Sequence, residues 1–337
     1  MYREMALADL VTIPRDEAAA RDAVAYQSKF GSWDTRASVR AKPRRLLDSA
    51  GSRLYYPPEL LPIVSHPLIT AQGEALRHRL LVQQLFGYLH FTTELEELAV
   101  IPIVSKISRG RSGLVLPEQM REDAYKIATD EAWHAQFSYD LIRQVESETG
   151  VRRCIPELPA FVGRLDRVRS MLPAEVRGAE GLMFSIVSET LISSILADLP
   201  RDRRLPTAVR ELVRDHAEDE GRHHAYFRSL LRIFWSSLSG RQRRQIGPHF
   251  PAAIRAFLEP DLRALAGSLS NAGLSAEAAE QVLSESYPQE ATTRTIAASA
   301  ATTVRYLVDL GALKDPRTAE AFALAGLSDI SEGEASA

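Results

Sequence analysis

Apolar residues recur at three- and four-residue spacing over long stretches of the chain, which is the pattern of amphipathic helices. This spacing predicts long helices over residues 77–100, 118–147, 175–198 and 207–236, a connecting helix over 159–169, and two or three further helices within 240–326. Alternating strand patterns are scarce, and the first long helix is expected to end before Pro102. The predicted fold class is therefore all-α, a helical bundle with additional N- and C-terminal helices.

The same pattern divides the chain into three parts. Residues 1–75 read as an irregular, partly helical lead-in that packs on the bundle, and the basic cluster at residues 42–45 is interpreted as a solvated face. Residues 76–326 form the bundle domain. The last stretch, residues 327–337, is acidic and made of small residues, so it is predicted to be disordered.

Composition narrows the classes of function. The formal net charge is −3, which gives no electrostatic reason to expect a nucleic acid or an anionic membrane as partner. The single cysteine, Cys154, allows no internal disulfide and fits a cytoplasmic location. The most apolar stretch, residues 182–199, carries Glu189 near its middle, which favours a buried helix over a membrane span.

Two copies of one short motif carry the candidate chemistry. They are DEAWH at residues 130–134 and DEGRH at residues 219–223, each in a predicted long helix. Glu and His three residues apart share a helix face, so Glu131 with His134, and Glu220 with His223, can reach one metal ion. Chance would give roughly 0.03 Asp-Glu-x-x-His motifs in a chain of this composition, so two copies favour a functional interpretation.

Each motif helix follows a helix that can supply one further glutamate ligand without a histidine, here called the lone glutamate. This is the order of helices found in dimetal carboxylate bundles. Glu189 lies among apolar residues; the alternative is a protonated or Arg-paired structural glutamate. The preceding helix offers Glu94, Glu96 and Glu97, and periodicity does not choose cleanly among them. Glu96 shares a stripe with Leu89, Thr92 and Ala99, which looks inward.

Three more residues lie close to the motifs. His216 is four residues before Glu220 and on the same helical face, so we favour it as a seventh ligand over a surface histidine. Asp130 and Asp219 are candidates to accept a hydrogen bond from the second ring nitrogen of a metal-bound histidine. Plain surface carboxylates are the alternative for both.

At these residues the chain resembles the p-aminobenzoate N-oxygenase family of ferritin-like di-iron proteins, which oxidise amines to nitro compounds in antibiotic biosynthesis. The resemblance rests on GYLHFTTELEELAVIP around Glu96, ATDEAWHAQF around Glu131, IVSETLISSIL around Glu189 and RDHAEDEGRHH around His216. It implies Glu96 as the ligand of the first helix. It implies two iron ions per chain, one held by Glu96 and His134, the other by Glu189, His216 and His223, and both bridged by Glu131 and Glu220. It further implies O2 as co-substrate, an external electron donor and a homodimer.

The substrate is less defined. No Lys or Arg lies between Arg79 and Lys106 or between Arg177 and Arg201, so the two lone-glutamate helices offer no cation to a substrate carboxylate. An aromatic or otherwise neutral amine fits such a lining best. The candidate lining residues, most of which would be core residues by default, are Tyr88, Phe91, Thr92, Leu95 and Phe184, with Arg305 as the one cation considered as an anchor.

Three other functions share part of this pattern. A di-iron hydroxylase or desaturase would use the same ligands to oxidise carbon. A non-enzymatic iron-storage protein would need a short bundle that assembles into a cage, whereas this chain has long extensions on both sides of the bundle. A radical-generating subunit would need a tyrosine beside the metals, and no tyrosine stands out in that role.

Overall fold

The computed structural model describes residue 21, residues 25–48 and residues 54–328, except for the side chains of residues 193–195. These residues form helices and connecting turns, and no strand occurs among them, so the predicted all-α class is confirmed. Most of the predicted disordered tail and much of the lead-in fall outside the described residues, so the domain boundaries remain predictions.

The helices follow one another along the chain as we number them here. They are α1 (Trp33–Arg36), α2 (Ser38–Ala41), α3 (Pro67–Thr70), α4 (Glu74–Leu95), α5 (Ile101–Ser108), α6 (Glu118–Thr149), α7 (Ala160–Met171), α8 (Ala179–Ile195), α9 (Thr207–Ser237), α10 (Gly240–Ile246), α11 (Phe250–Leu258), α12 (Leu262–Asn271), α13 (Ala276–Ser286), α14 (Gln289–Asp309) and α15 (Pro316–Leu324).

Four helices make the central bundle. Helix α4 packs along α6, α8 packs along α9, and the two pairs meet where α6 contacts α9. Helix α6 has 32 residues and α9 has 31, so each is about 45–50 Å long at 1.5 Å per residue. The predicted long helices therefore exist, and the ends of the second, third and fourth are shifted by up to four residues.

The prediction that the first long helix ends before Pro102 is wrong. A π-helical turn, Glu96–Val100, joins α4 to α5, and the Ile101 N–H donates to the Glu96 carbonyl five residues earlier. Proline at position 102 has no N–H and would clash with a carbonyl in a regular α-helix. The wider turn accommodates this proline without ending the helix, and such turns are frequent at functional sites.

Helix α8 is the most completely buried element. Its apolar side chains, among them Met183, Phe184, Ile186 and Val187, have no exposed surface because α9, α11 and α14 surround it. In the part of the chain that the structure describes, none of the helices has both the length and the apolar character needed to span a membrane.

The described part of the lead-in lies across α6 and α9. Contrary to expectation, its basic cluster is not simply solvated: Arg45 pairs with Asp215 at 2.7 Å, and Lys42 pairs with Glu218 at 2.8 Å. Both acids are on α9, whereas Arg44 pairs with Asp140 on α6 at 2.7 Å. These contacts place α1 and α2 over the middle of the bundle.

The C-terminal region contains more helices than predicted. Between residues 240 and 326 the structure has six α-helices, where two or three were expected. Short turns interrupt the apolar periodicity: Asp261 caps α12, and Gly273 ends it with a positive φ of 98°. Pro288 then precedes α14. Of the resulting helices, α11 packs on α7 and α8, α14 packs on α8, and α12 contacts α4.

Candidate metal centre

Seven acidic and imidazole side chains meet in the middle of the bundle. The π turn supplies Glu96, α6 supplies Glu131 and His134, α8 supplies Glu189, and α9 supplies the rest. These seven are Glu96, Glu131, His134, Glu189, His216, Glu220 and His223, and each is at most 1% exposed. Periodicity did not choose among Glu94, Glu96 and Glu97, but the structure distinguishes them. Only Glu96 is buried in the cluster, since Glu97 is exposed and Glu94 is half-buried 3.7 Å from His90.

The seven side chains form two overlapping groups of possible metal ligands. One contains Glu96, Glu131, His134, His216 and Glu220, and the other contains Glu131, Glu189, Glu220 and His223; within each group, one donor atom per residue lies within 4.8 Å of every other. Glu131 and Glu220 belong to both groups. This is the arrangement of two neighbouring sites that share two carboxylates.

His216 lies in the group opposite to the one expected. Its Nε2 is 3.0 Å from Glu220 Oε1 and 3.9 Å from Glu96 Oε1, and its ring centroid is 4.1 Å from that of His134. On α9, His216 is one turn before Glu220, whereas His223 is almost one turn after it. In this structure His216 therefore lies beside Glu96 and His134, whereas His223 lies beside Glu189.

The carboxylates have oxygens that the protein does not satisfy. No hydrogen-bond donor among the described residues reaches either oxygen of Glu96 or of Glu189, and none reaches Oε2 of Glu220. An unpartnered carboxylate in the core is strongly unfavourable. Together with the nearby imidazole nitrogens, these oxygens are the donor set expected for a cation site.

The electrostatics of the centre lead to the same conclusion. Burial, and then the charges of Glu131 and Glu189, raise the pKa of Glu96 well above its usual range; burial and Glu220 do the same for Glu189. Burial disfavours the charged form of His134, but Glu131 and Asp219 together raise the pKa of that imidazole to about 10. Protons thus take the place that metal charge would fill.

The aspartates of the two motifs hold the histidines crosswise. Asp130 on α6 lies with Oδ2 3.1 Å from His223 Nε2 on α9, and Asp219 on α9 lies with Oδ2 3.1 Å from His134 Nε2 on α6. In both histidines the Nδ1 atom faces the shared carboxylates. Each aspartate therefore fixes the ring of the histidine in the opposite motif.

Residues outside the motifs hold the aspartates in turn. Trp33 Nε1 donates to both Asp130 oxygens at 2.8 and 2.9 Å, and the Ser38 N–H donates to both Asp219 oxygens at 3.2 Å. Arg222 pairs with Asp219 and lies 3.8 Å from Asp130. None of these three residues was among the predicted site residues, although a lone tryptophan in a polar segment and an arginine inside the second motif were visible signals.

The model of the family described as p-aminobenzoate N-oxygenase AurF matches residues 25–311. The chain belongs to the p-aminobenzoate N-oxygenase family. One relative is the 4-aminobenzoate N-oxygenase of Streptomyces thioluteus, which is 28% identical over 238 residues that cover 68% of each chain. The predicted family and the prediction of an N-oxygenase enzyme are thereby confirmed.

The matched region includes α1, α2 and all seven clustered side chains of this N-oxygenase. The lead-in that holds Asp130 and Asp219 is therefore part of the region shared with the family model. The family is one of di-iron oxygenases, and the buried clusters are groups that could bind metal.

The residues expected to line a substrate pocket of the N-oxygenase fall into two sets. Tyr88, Thr92 and Leu95 are buried on α4 within two turns or so of Glu96, and no described residue bonds to the Tyr88 hydroxyl. Phe91 and Phe184 instead pack on Phe161, with ring centroids 5.5 and 5.4 Å away. These two belong to an aromatic cluster between α4, α7 and α8.

Arg305, the residue considered as a cationic anchor for the substrate, does not face this site. Arg305 is exposed on α14, whereas its buried neighbour Thr303 bonds to Thr190 beside Glu189 at 2.8 Å. Helical geometry separates the two side chains by about 200°, so only one of them can face the bundle. His224, next to His223 but outside both clusters, has Nε2 3.0 Å from the Tyr306 hydroxyl.

Proposed function

We propose that this chain binds two iron ions and uses them with O2 to oxidise the nitrogen of an arylamine. In this proposal one iron is held by Glu96, His134 and His216 and the other by Glu189 and His223, with Glu131 and Glu220 bridging the pair. The observation that carries the proposal is the pair of overlapping buried clusters that share these last two carboxylates.

Charge supports two divalent ions rather than one. The four clustered glutamates carry four negative charges when ionised, which two divalent cations balance. A single ion would leave two charges uncompensated in a core where no described donor reaches either oxygen of Glu96 or of Glu189. Oxygen and imidazole donors without thiolate also fit iron or manganese better than soft metals.

The pair of irons would supply the electrons that reduce oxygen. The protein contributes a water-poor site, because every clustered side chain is buried, and it fixes the imidazoles through Asp130 and Asp219. No side-chain nucleophile is required, since the amine nitrogen is itself nucleophilic.

Each oxygenation must balance in electrons. An amine, O2, two electrons and two protons give a hydroxylamine and water, so an external donor has to supply two electrons. Further cycles at the same nitrogen lead to nitroso and nitro products. An arylamine without an essential carboxylate suits the described lining, since Tyr88, Thr92 and Leu95 carry no cation.

The decisive experiment uses labelled dioxygen. Iron-loaded, chemically reduced protein is mixed with ¹⁸O₂ and a panel that includes aniline derivatives, 4-aminobenzoate and alkyl amines, and the products are analysed by mass spectrometry. We expect label on nitrogen, with arylamines as the preferred substrates. Label on carbon alone would favour a hydroxylase, and oxygen consumption without amine oxidation across the panel would contradict the proposal.

Two variants make this experiment specific to the proposed centre. Glu96→Ala should abolish nitrogen oxidation, whereas Glu97→Ala should retain it because Glu97 is exposed on the next position of the same turn. Equal activity in both would show that the reaction takes place elsewhere. The homodimer is likewise a proposal, based on the family resemblance, and light scattering of the iron-loaded protein would test it.

A further inference from the structure

The hydrogen bonds around Asp130 lead outward from the metal centre to an indole ring. Trp33 Nε1 lies 2.8 Å from Asp130 Oδ1 and 2.9 Å from Oδ2, and Oδ2 lies 3.1 Å from His223 Nε2. The other ring nitrogen, His223 Nδ1, faces Glu131 at 2.9 Å and Glu189 at 3.8 Å. Two hydrogen bonds therefore connect the indole to a proposed ligand of the second iron.

Trp33 is largely buried but retains a small exposed surface. It is the first residue of α1 and is 8% exposed, with the guanidinium of the exposed Arg40 5.4 Å from its ring centroid. The ring thus lies between the buried centre and the surface of the protein. An external reductant could approach its exposed edge without entering the bundle.

The other half of the centre lacks this feature. Asp219 contacts His134 in the same way that Asp130 contacts His223, but its outer partners are the backbone N–H of Ser38 and the guanidinium of Arg222. An amide and a guanidinium are thus sufficient to hold such a carboxylate. An indole is not needed for that task, and it differs from both in being readily oxidised by one electron.

We propose that Trp33 is an oxidisable relay for the metal centre, an inference that rests on the oxygen chemistry proposed above. When oxygen oxidises the centre and no amine takes up the oxidising equivalents, one electron passes from Trp33 through Asp130 and His223. The centre would be reduced by one electron, and the indole would become a cation radical that keeps its Nε1 proton in the hydrogen bond to Asp130. Two such transfers, together with the two electrons of the irons and four protons, would reduce O2 to two waters. A one-electron reductant of the ascorbate or thiol class then restores the indole.

The other tryptophans serve as matched controls. Trp133 contacts Phe137 edge-on, with ring centroids 5.9 Å apart, and the Phe137 ring lies 5.3 Å from His134, so this route depends on ring contacts. Trp235 packs on Phe250 and is 12 residues from His223, which is about 18 Å along α9. Only Trp33 has the hydrogen-bonded connection.

The test is a search for the radical. Reduced, iron-loaded protein is mixed with oxygen in the absence of amine, frozen at intervals and studied by electron paramagnetic resonance. We expect a transient organic radical whose spectrum narrows when the protein contains ring-deuterated tryptophan. The signal should be lost in Trp33→Phe, kept in Trp133→Phe and Trp235→Phe, and shortened in lifetime by ascorbate.

A comparison at equal iron content separates the electron-relay role of Trp33 from simple support of Asp130. The variants are compared at equal iron content; if Trp33→Phe loads iron poorly, protein containing fluorinated tryptophan replaces it, because that ring keeps its shape and N–H but is harder to oxidise. A radical that persists in Trp33→Phe, a spectrum insensitive to deuterated tryptophan, or no radical in wild-type protein that consumes oxygen would each overturn the relay. Failure of the proposed function is distinct, since such protein would not oxidise amines in the labelled-oxygen experiment.

Discussion

The two halves of the metal centre follow one plan and differ in two places. Helices α6 and α9 each contribute an Asp-Glu-x-x-His motif, and each aspartate holds the histidine of the other helix at 3.1 Å. The half around Glu96 has an additional imidazole, His216. The half around Glu189 has the indole of Trp33 behind its aspartate. The shared plan accounts for the proposed metal binding, and the differences are where the two proposed metals would act differently.

The additional imidazole makes the two proposed sites unequal. One site has two histidines and a terminal glutamate, and the other has one histidine and a terminal glutamate. A neutral imidazole would occupy a coordination position without adding negative charge, so the Glu189 side would have more room for oxygen or substrate. The predictions below test this inequality, beginning with the largest expected effect.

Loss of Glu189 should have the largest effect. Glu189→Ala removes the terminal carboxylate of one site from a fully buried position, so we expect the iron content to fall from two per chain to one or fewer. Glu94→Ala is the matched control, because Glu94 is half-buried and outside both clusters. Elemental analysis measures both, and equal loading would show that the terminal carboxylate is misplaced.

Loss of His216 should separate binding from turnover. Since Glu96, His134 and the two shared carboxylates remain, we expect His216→Ala to bind iron. Amine turnover should fall by more than the roughly 10–100-fold typical of losing an outer hydrogen-bond partner of a ligand. Mössbauer spectra should show one altered iron and one unaltered. Wild-type kinetics would remove His216 from the ligand set.

Much of this centre was visible in the sequence because it is local. The motif glutamates and histidines share helix faces at a spacing of three residues, so the order of the helices was enough to expect one cluster. The choice of Glu96 needed the resemblance, since its helix carries three nearby glutamates. Its burial depends on a π turn that periodicity does not reveal.

Two features could not be predicted in the same way: which ligand group contains His216, and that each motif aspartate contacts the histidine of the other motif. Both depend on how α6 and α9 face each other, which is a property of packing between helices rather than of either helix alone. Trp33 and Ser38 are about 100 and 180 residues from their aspartates along the chain. Arg305 illustrates the opposite error, because a suitable charge on a suitable helix proved to face solvent.

Removal of the outer carboxylates should have a smaller effect than removal of ligands. Asp130→Asn and Asp219→Asn keep the size of the side chain but remove the charge that orients His223 and His134, respectively. We expect iron affinity to fall by about 10–100-fold in each. The crosswise arrangement predicts that Asp219→Asn alters the iron with two histidines. If Asp219→Asn instead alters the iron beside Glu189, the pairing described here would be incorrect.

The smallest effect concerns pH. Burial opposes the charge of His134, but Glu131 and Asp219 raise its pKa to about 10, so in the absence of iron this imidazole keeps a proton at neutral pH. That proton stabilises the iron-free fold below the ordinary pKa of histidine, about 6.5, and the contribution is lost as the pH rises through about 10. The raised pKa values of Glu96 and Glu189, which burial causes first of all, act in the same direction.

Iron must displace these protons, so its affinity should increase with pH, by about tenfold per unit for each proton released. The difference in melting temperature between iron-loaded and iron-free protein should therefore widen from about pH 6 to about pH 8. Burial opposes the charge of Asp219, Glu131 and Glu220, but neighbouring imidazoles lower the pKa of each, so these carboxylates are already ionised over this range and release no proton. A difference that narrows with pH would mean that iron does not replace the protons of this cluster.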